Sequence, residues 1–451
     1  MTSHLPAPEP SSRRPDLPER GAFHFLRPPA LPEDAFGSQV CRRILGIYLL
    51  GYYLMYTHWV QLAWLMGALV MTGRDIDWKH LGRSMGRDPL LGSGAVFLGW
   101  MTLRSFFASG ENEGSAFMTA LPWLGGLVWL LLFVAAVWQT GIHPRALAPW
   151  GVVIGCAAAF AALVSFVLFY LVLPSHAFGE RLQNWFVFGG LNPVCAGLGF
   201  GFAALWVICI KPEWRGKRTG VLLPILQVIL ILALLFTRSR GGLLALGAGL
   251  AVLLLVRGWR KMWRDWLLLA LVIGAFEAAD PFVTRYAEYQ AKVRTGQTSN
   301  GATSLQEMLG RADSGRLNIY RAGVDTLKDP KAWLFGIGQW GTDEQWRSRI
   351  DPQWRSDHLH SAYLATLVQG GLVGLGLLAF TLGQGLWRAR VLALEGDDLW
   401  LALLSYGCAA LLFDGQTFTR MNSLPLFEPL LLTFPLVMAA SAWAQKKRAI
   451  M

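Results

Sequence analysis

Apolar segments recur along almost the whole of this chain, and that recurrence limits its fold more than any other feature. Segment 219–237, TGVLLPILQVILILALLFT, carries no charged residue. Runs of this length with few charges are candidate membrane helices. Comparable segments lie at roughly 44–57, 59–72, 89–107, 117–138, 146–173, 192–210, 241–256, 265–279, 361–386, 398–413 and 424–443. Backbone polar groups in lipid must be satisfied within the segment, which selects helices. The expected fold is therefore an all-α polytopic membrane protein of about twelve transmembrane helices. Only 15% of the 451 residues are charged, against about 25% in soluble domains.

Residues 1–40 differ. PAPEPSSRRPDLPER is rich in proline and charge, so this stretch is read as a disordered cytoplasmic tail. It lacks the charged-then-apolar pattern of a cleavable signal peptide. Transmembrane helices fill 41–279 and 360–451. Between them, 280–359 is too long for a simple connection, and loops of that length are usually functional or disordered. Within it, the spacing in 315-GRLNIYRAGVDTLKD-329 puts Leu317, Tyr320, Ala322, Val324 and Leu327 near one face. That pattern predicts an amphipathic helix.

Orientation follows from basic residues in short loops. Arg42 and Arg43, then Arg74, Lys79, Arg83 and Arg87, then Lys211, Arg215, Lys217 and Arg218 form basic clusters. Further clusters are Arg257, Arg260, Lys261 and Arg264, then Arg388 and Arg390, then Lys446, Lys447 and Arg448. If segments alternate, all of these fall on one side, which is the cytoplasm and holds both termini. The opposite loop 108-ASGENEGSAF-117 has no basic residue. The net charge of +11 is thus assigned to cytoplasmic loops and anion sites, with no nucleic acid required. The five cysteines lie in or beside apolar spans, which argues against a disulfide framework or a metal cluster.

The outer face carries few charges, so each is informative. Arg181 lies in 179-GERLQNWF-186, Arg238 and Arg240 in 236-FTRSRGG-242, Asp414 and Arg420 in 413-FDGQTFTRMN-422. Arg316 and Arg321 lie on the loop helix. Arg104 sits near the outer end of its span, and His358 and His360 end the loop. A terminal Arg ordinarily snorkels to the interface, and Arg257 is read that way. The Arg-Ser-Arg-Gly-Gly turn is read instead as an anion holder, because guanidinium offers a planar fork matched to phosphate oxygens. Gly241 and Gly242 permit close approach to the backbone. His360 opens a membrane helix, whose positive end favours anions, and a neutral imidazole is an available general base. His358 is read as a surface histidine. Gly370, Gly371, Gly374 and Gly376 are read as small residues for close helix packing.

This set of guanidiniums with one base implies group transfer from a lipid-anchored phosphate donor outside the cytoplasm. ATP is not expected there, so a sugar pyrophosphate would carry its own driving force, with arginines stabilising the leaving charge.

Three pieces resemble the O-antigen ligase and O-antigen polymerase superfamily of bacterial inner-membrane glycosyltransferases. They are 237-TRSRGGLLAL-246, 315-GRLNIYRAGVDTLKDPKAWLFGIG-338 and 360-HSAYLATLVQGGLVG-374, where Ser361 replaces a commoner Asn. The resemblance covers the C-terminal half. It implies metal-independent, inverting transfer of a glycan from undecaprenyl pyrophosphate, with no cofactor and with the active site on the periplasmic face of a Gram-negative inner membrane. It carries Arg240 and Arg316 to the pyrophosphate and His360 to the acceptor hydroxyl. Arg181, Arg238, Arg321 and Arg420 join the donor site by topology alone, and His358, Asp414 and Ser361 stand as supporting groups. A ligase would use a lipid A–core sugar as acceptor. A polymerase, a protein O-glycosyltransferase, and a transporter of an anionic lipid or solute stay open as alternatives.

Overall fold

The structure is a computed structural model. It describes residues 36–54, 87–106, 148–172, 180–186, 192–210, 217–295, 316–338, 359–415 and 429–450, with a few isolated positions between them. We number the helices α1 Phe36–Leu54, α2 Pro89–Phe106, α3 Ala148–Phe166, α4 Pro193–Cys209, α5 Lys217–Thr237 and α6 Arg240–Arg257. They continue as α7 Trp259–Thr295, α8 Arg316–Val324, α9 Pro330–Phe335, α10 Ala362–Leu394, α11 Leu399–Phe413 and α12 Phe434–Ile450. Short π-helical turns extend α3 to Val172 and lead into α12 from Pro429.

The architecture is all-α, as expected. Among the described residues, five helical stretches are long and apolar enough to cross a membrane: Trp150–Val172, Gly220–Thr237, Arg240–Arg257, Trp259–Val283 and Ala362–Leu394. Shorter apolar helices are Leu45–Leu54, Pro193–Cys209, Leu399–Phe413 and Leu430–Ala444. The expected spans 59–72 and 117–138 lie almost wholly outside the described residues, and the count of twelve depends on them.

Local chemistry sets the helix starts. Asn192 caps α4, accepting from the Val194 N–H at 3.0 Å, with Pro193 in the first turn. Ser239 caps α6 and Ser361 caps α10 in the same way. Two boundaries differ from the sequence reading. α1 begins at Phe36, inside the stretch read as tail, and α7 runs on to Thr295, inside the stretch read as loop.

The main core draws on α1–α7 and α10–α12, with α4 buried along most of its length. Small residues let these helices meet: a Cβ on Gly201 would reach the Tyr406 hydroxyl, and one on Gly249 would collide with Leu205. At one end of the bundle Arg257 is not a snorkelling residue, contrary to the sequence reading. Its side chain is 14% exposed and grips Asp398 through two bonds, of 2.5 and 2.8 Å, while also donating to the Ile208 and Cys209 carbonyls. It thereby ties α6 to α11 and closes the C-terminus of α4. Removing one partner of such a buried pair costs about 3–5 kcal/mol. Arg388 is likewise buried on Asp88, at 2.8 Å. Arg257, Arg388, Asp398 and Lys446 gather at this end of the bundle. Thr237–Gly242, His360 and Asp414 lie at the other.

The loop helix exists, but on a shifted face. Leu317 is exposed, whereas Ile319, Ala322 and Leu327 are buried. They form a second, smaller core with Leu359, Ala365 and Val368. Five of the first nine positions of α8 are apolar, so its sequence offers two faces. The partners on α10 choose between them.

Candidate active site

Four chain segments converge at the end of the bundle opposite Arg257. The first is the turn between α5 and α6. Thr237 bonds its own helix at Leu234 O, 2.6 Å. Arg238 takes φ +50°, and Ser239, almost fully buried, accepts from Gly242 N–H at 3.2 Å. Gly242 lets the backbone of Gly197 come within van der Waals contact. Arg240 is the first residue of α6, half-buried at that helix's positive end.

The second segment is the end of α11. A Cβ on Gly241 would lie 3.4 Å from the Cβ of Phe413, which places the arginine turn beside the residue that precedes Asp414. That carboxylate is 4% exposed. Its Oδ1 accepts from the Gly415 N–H at 2.9 Å and faces His360 Nδ1 at 3.4 Å.

The third segment is the start of α10. His360 also has positive φ, +51°. Among the described residues, Arg238 and His360 are the two non-glycine positions in this left-handed region. Such strain costs about 1–3 kcal/mol and clusters at functional sites. Ser361 beside it is occupied as the α10 cap, accepting from the Leu364 N–H.

The fourth segment is α8. Tyr320 donates its hydroxyl to the His360 carbonyl at 3.2 Å. One turn earlier, Arg316 presents the same face. Burial pushes the Tyr320 phenol up, and the Asp414 charge adds to that while the Arg316 charge opposes it. Tyr320 thus stays a proton donor at neutral pH, and both charges lie within its electrostatic reach.

These contacts bring the Arg238–Arg240 turn, the His360–Asp414 pair and the Arg316–Tyr320 face of α8 to one end of the bundle. Asp414 Oδ1 faces Nδ1 of His360, a contact that orients the imidazole. Of the other sequence candidates, Arg181 also reaches this turn. Arg181 uses its Nε to cap α5 at Thr237 O, 3.0 Å, alongside the Leu182 N–H bond to Phe236 O. Arg321 is exposed, five residues on from Arg316, and so on another face of α8. His358 and Arg420 lie outside the described residues.

Residues 225–379 match the family model described as O-Antigen ligase. Over that segment the chain is similar to the O-antigen ligase family. No curated protein matches it. The O-antigen ligase segment covers roughly a third of the chain. It contains Arg238, Arg240, Arg316, Arg321 and His360, and it ends before Asp414.

Sequence reasoning missed two features. Asp414 was only a supporting group, because nothing in a sequence joins positions 54 residues apart. Tyr320 was placed on a helix face with no role, although its one-turn spacing from Arg316 was a usable signal.

Proposed function

We propose that this protein is a glycosyltransferase of the Gram-negative inner membrane. It moves O-antigen glycan from undecaprenyl pyrophosphate to a lipid A–core sugar hydroxyl on the periplasmic side. The observation that carries this reading is the His360–Asp414 pair, set beside both the Arg240 turn and the Arg316 helix. The family match supports a lipid-linked glycan donor and a lipid acceptor in general.

In the proposed reaction the acceptor oxygen attacks the anomeric carbon from the face opposite the leaving group. The new carbon–oxygen bond forms as the bond to pyrophosphate breaks, so the configuration inverts. The hydroxyl proton passes to His360. Undecaprenyl pyrophosphate leaves with its charge held by Arg240 and Arg316. Arg238 is near enough to assist. The positive ends of α6 and α10 favour the same anion.

Arg240→Lys tests the donor half of this scheme. Lysine keeps the charge but loses the fork. Loss of one charge-assisted bond, about 1.5–3 kcal/mol, should lower kcat/KM for the donor roughly 10- to 150-fold. A fully active lysine variant would reduce Arg240 to a point charge. Transfer should also persist in EDTA, because arginines rather than a cation neutralise the pyrophosphate. Loss of activity that only a divalent metal restores would overturn that assignment.

A further inference from the structure

α10 is not one continuous helix. Gly371 has φ +68° and ψ −169°, which interrupts it ten residues after its cap. A helix carbonyl at position i normally accepts from the N–H at i+4, so the break orphans the carbonyls just before it. Other groups serve them. The Ile337 and Gly338 N–H groups donate to Val368 O and Gln369 O at 2.9 and 3.0 Å. The Trp100 Nε1–H donates to Gly370 O at 2.8 Å. Irregular backbone within a membrane protein needs such partners. The 336–338 segment after α9 is itself gripped, since Arg104 Nη2 donates to Gly336 O at 2.8 Å. The fit is close: a Cβ on Gly371 would collide with Leu334 O, and one on Gly336 with Gln369 O.

Arg104 and Trp100 belong to α2, which contributes nothing to the site itself. Yet the two pieces they join are those that carry it. The second core, Ile319, Ala322 and Leu327 against Leu359, Ala365 and Val368, makes α8 and residues 359–370 one packed unit. That unit bears Arg316 and Tyr320 on one side and His360 on the other.

We infer that Arg104 and Trp100 are positioning residues, which clamp the junction of 336–338 with 369–371 and so fix Arg316 against His360. The inference rests on the roles given above to those two residues. Misplacement of reacting groups by about 1 Å can cost 10²-fold in rate.

The test uses the full-length protein in lipid nanodiscs. Arg104→Met keeps the stem and removes the donor. Arg104→Gln restores one neutral N–H for Gly336 O. Trp100→Phe keeps the ring and removes the bond to Gly370 O. We expect Arg104→Met to lower kcat roughly 10- to 100-fold, with little change in KM for the donor. Arg104→Gln should recover most of that loss, and Trp100→Phe should fall with Arg104→Met. Hydrogen exchange at the Ile337 and Gly338 amides should quicken in Arg104→Met and return toward wild type in Arg104→Gln. A glutamine variant as poor as methionine, with a raised KM, would make Arg104 a phosphate-binding charge and overturn the inference. Unchanged exchange in Arg104→Met would overturn it too. If the wild-type protein transfers no glycan, the proposed function falls while the exchange readout still decides the clamp.

Discussion

Replacing His360 with alanine is expected to lower glycan transfer roughly 10²- to 10⁴-fold, the range that a positioned general base contributes. The loss should appear in kcat, with donor binding retained, because the arginines proposed to hold the pyrophosphate belong to α6 and α8. The variant should still insert and melt near the wild-type temperature. His360 sits at φ +51°, and its side chain is 21% exposed, so alanine leaves no large cavity. Transfer by purified protein in nanodiscs, alongside donor binding, checks the prediction. Activity within a few-fold of wild type would remove His360 from the chemistry.

Asp414→Asn is expected to be nearly as damaging, for a different reason. The carboxylate accepts from the Nδ1 side of His360, across 3.4 Å. An asparagine can turn its amide N–H toward Nδ1 instead and stabilise the other tautomer. The Nε2 of His360 would then carry the proton and could not act as base. In the serine-protease triad the equivalent change costs about 10⁴-fold in kcat. Here the longer contact argues for a smaller loss, on the order of 10²- to 10³-fold. Asp414 also accepts from Gly415 N–H, which asparagine's oxygen can still do, so the fold should survive. Rate and thermal stability measured together separate the two roles. Equal loss of stability and activity would make Asp414 structural.

The two residues illustrate how much of this molecule can be read from its sequence. Apolar runs located the helices because lipid tolerates almost no unpaired backbone, and 219–237 became α5 within two residues. The starts of α4, α6 and α10 fell within one residue of the apolar runs at 192, 241 and 361, and the structure shows Asn192, Ser239 and Ser361 capping them. His360, Arg240 and Arg316 stood out because charge on a charge-poor face is informative, and their helix ends lie at one end of the bundle.

What the sequence hid is non-local. Arg257 and Asp398 are 141 residues apart, so the arginine looked like an ordinary loop cation. The glycines after His360 had an adequate reading as packing residues, and Gly370 and Gly374 do meet Met101 and Trp100. Gly376 meets nothing within 4 Å, and Gly371 proved to be a backbone break instead. That distinction depends on φ, which composition does not report. The face of α8 was read correctly at Tyr320, Ala322 and Leu327 but took in exposed Leu317 and missed Ile319, since Leu359 and Val368 decide it from another segment.

The most direct test of the account is made in the native host lacking this gene. Its lipopolysaccharide and its undecaprenyl-linked glycans would be analysed side by side, with wild-type and His360→Ala genes returned on a plasmid. The account predicts bare lipid A–core and long polymer stranded on undecaprenyl pyrophosphate, reversed by the wild-type gene and not by His360→Ala. Core capped with a single repeat would make the protein a polymerase. Normal lipopolysaccharide and normal carrier-linked glycan would contradict the account.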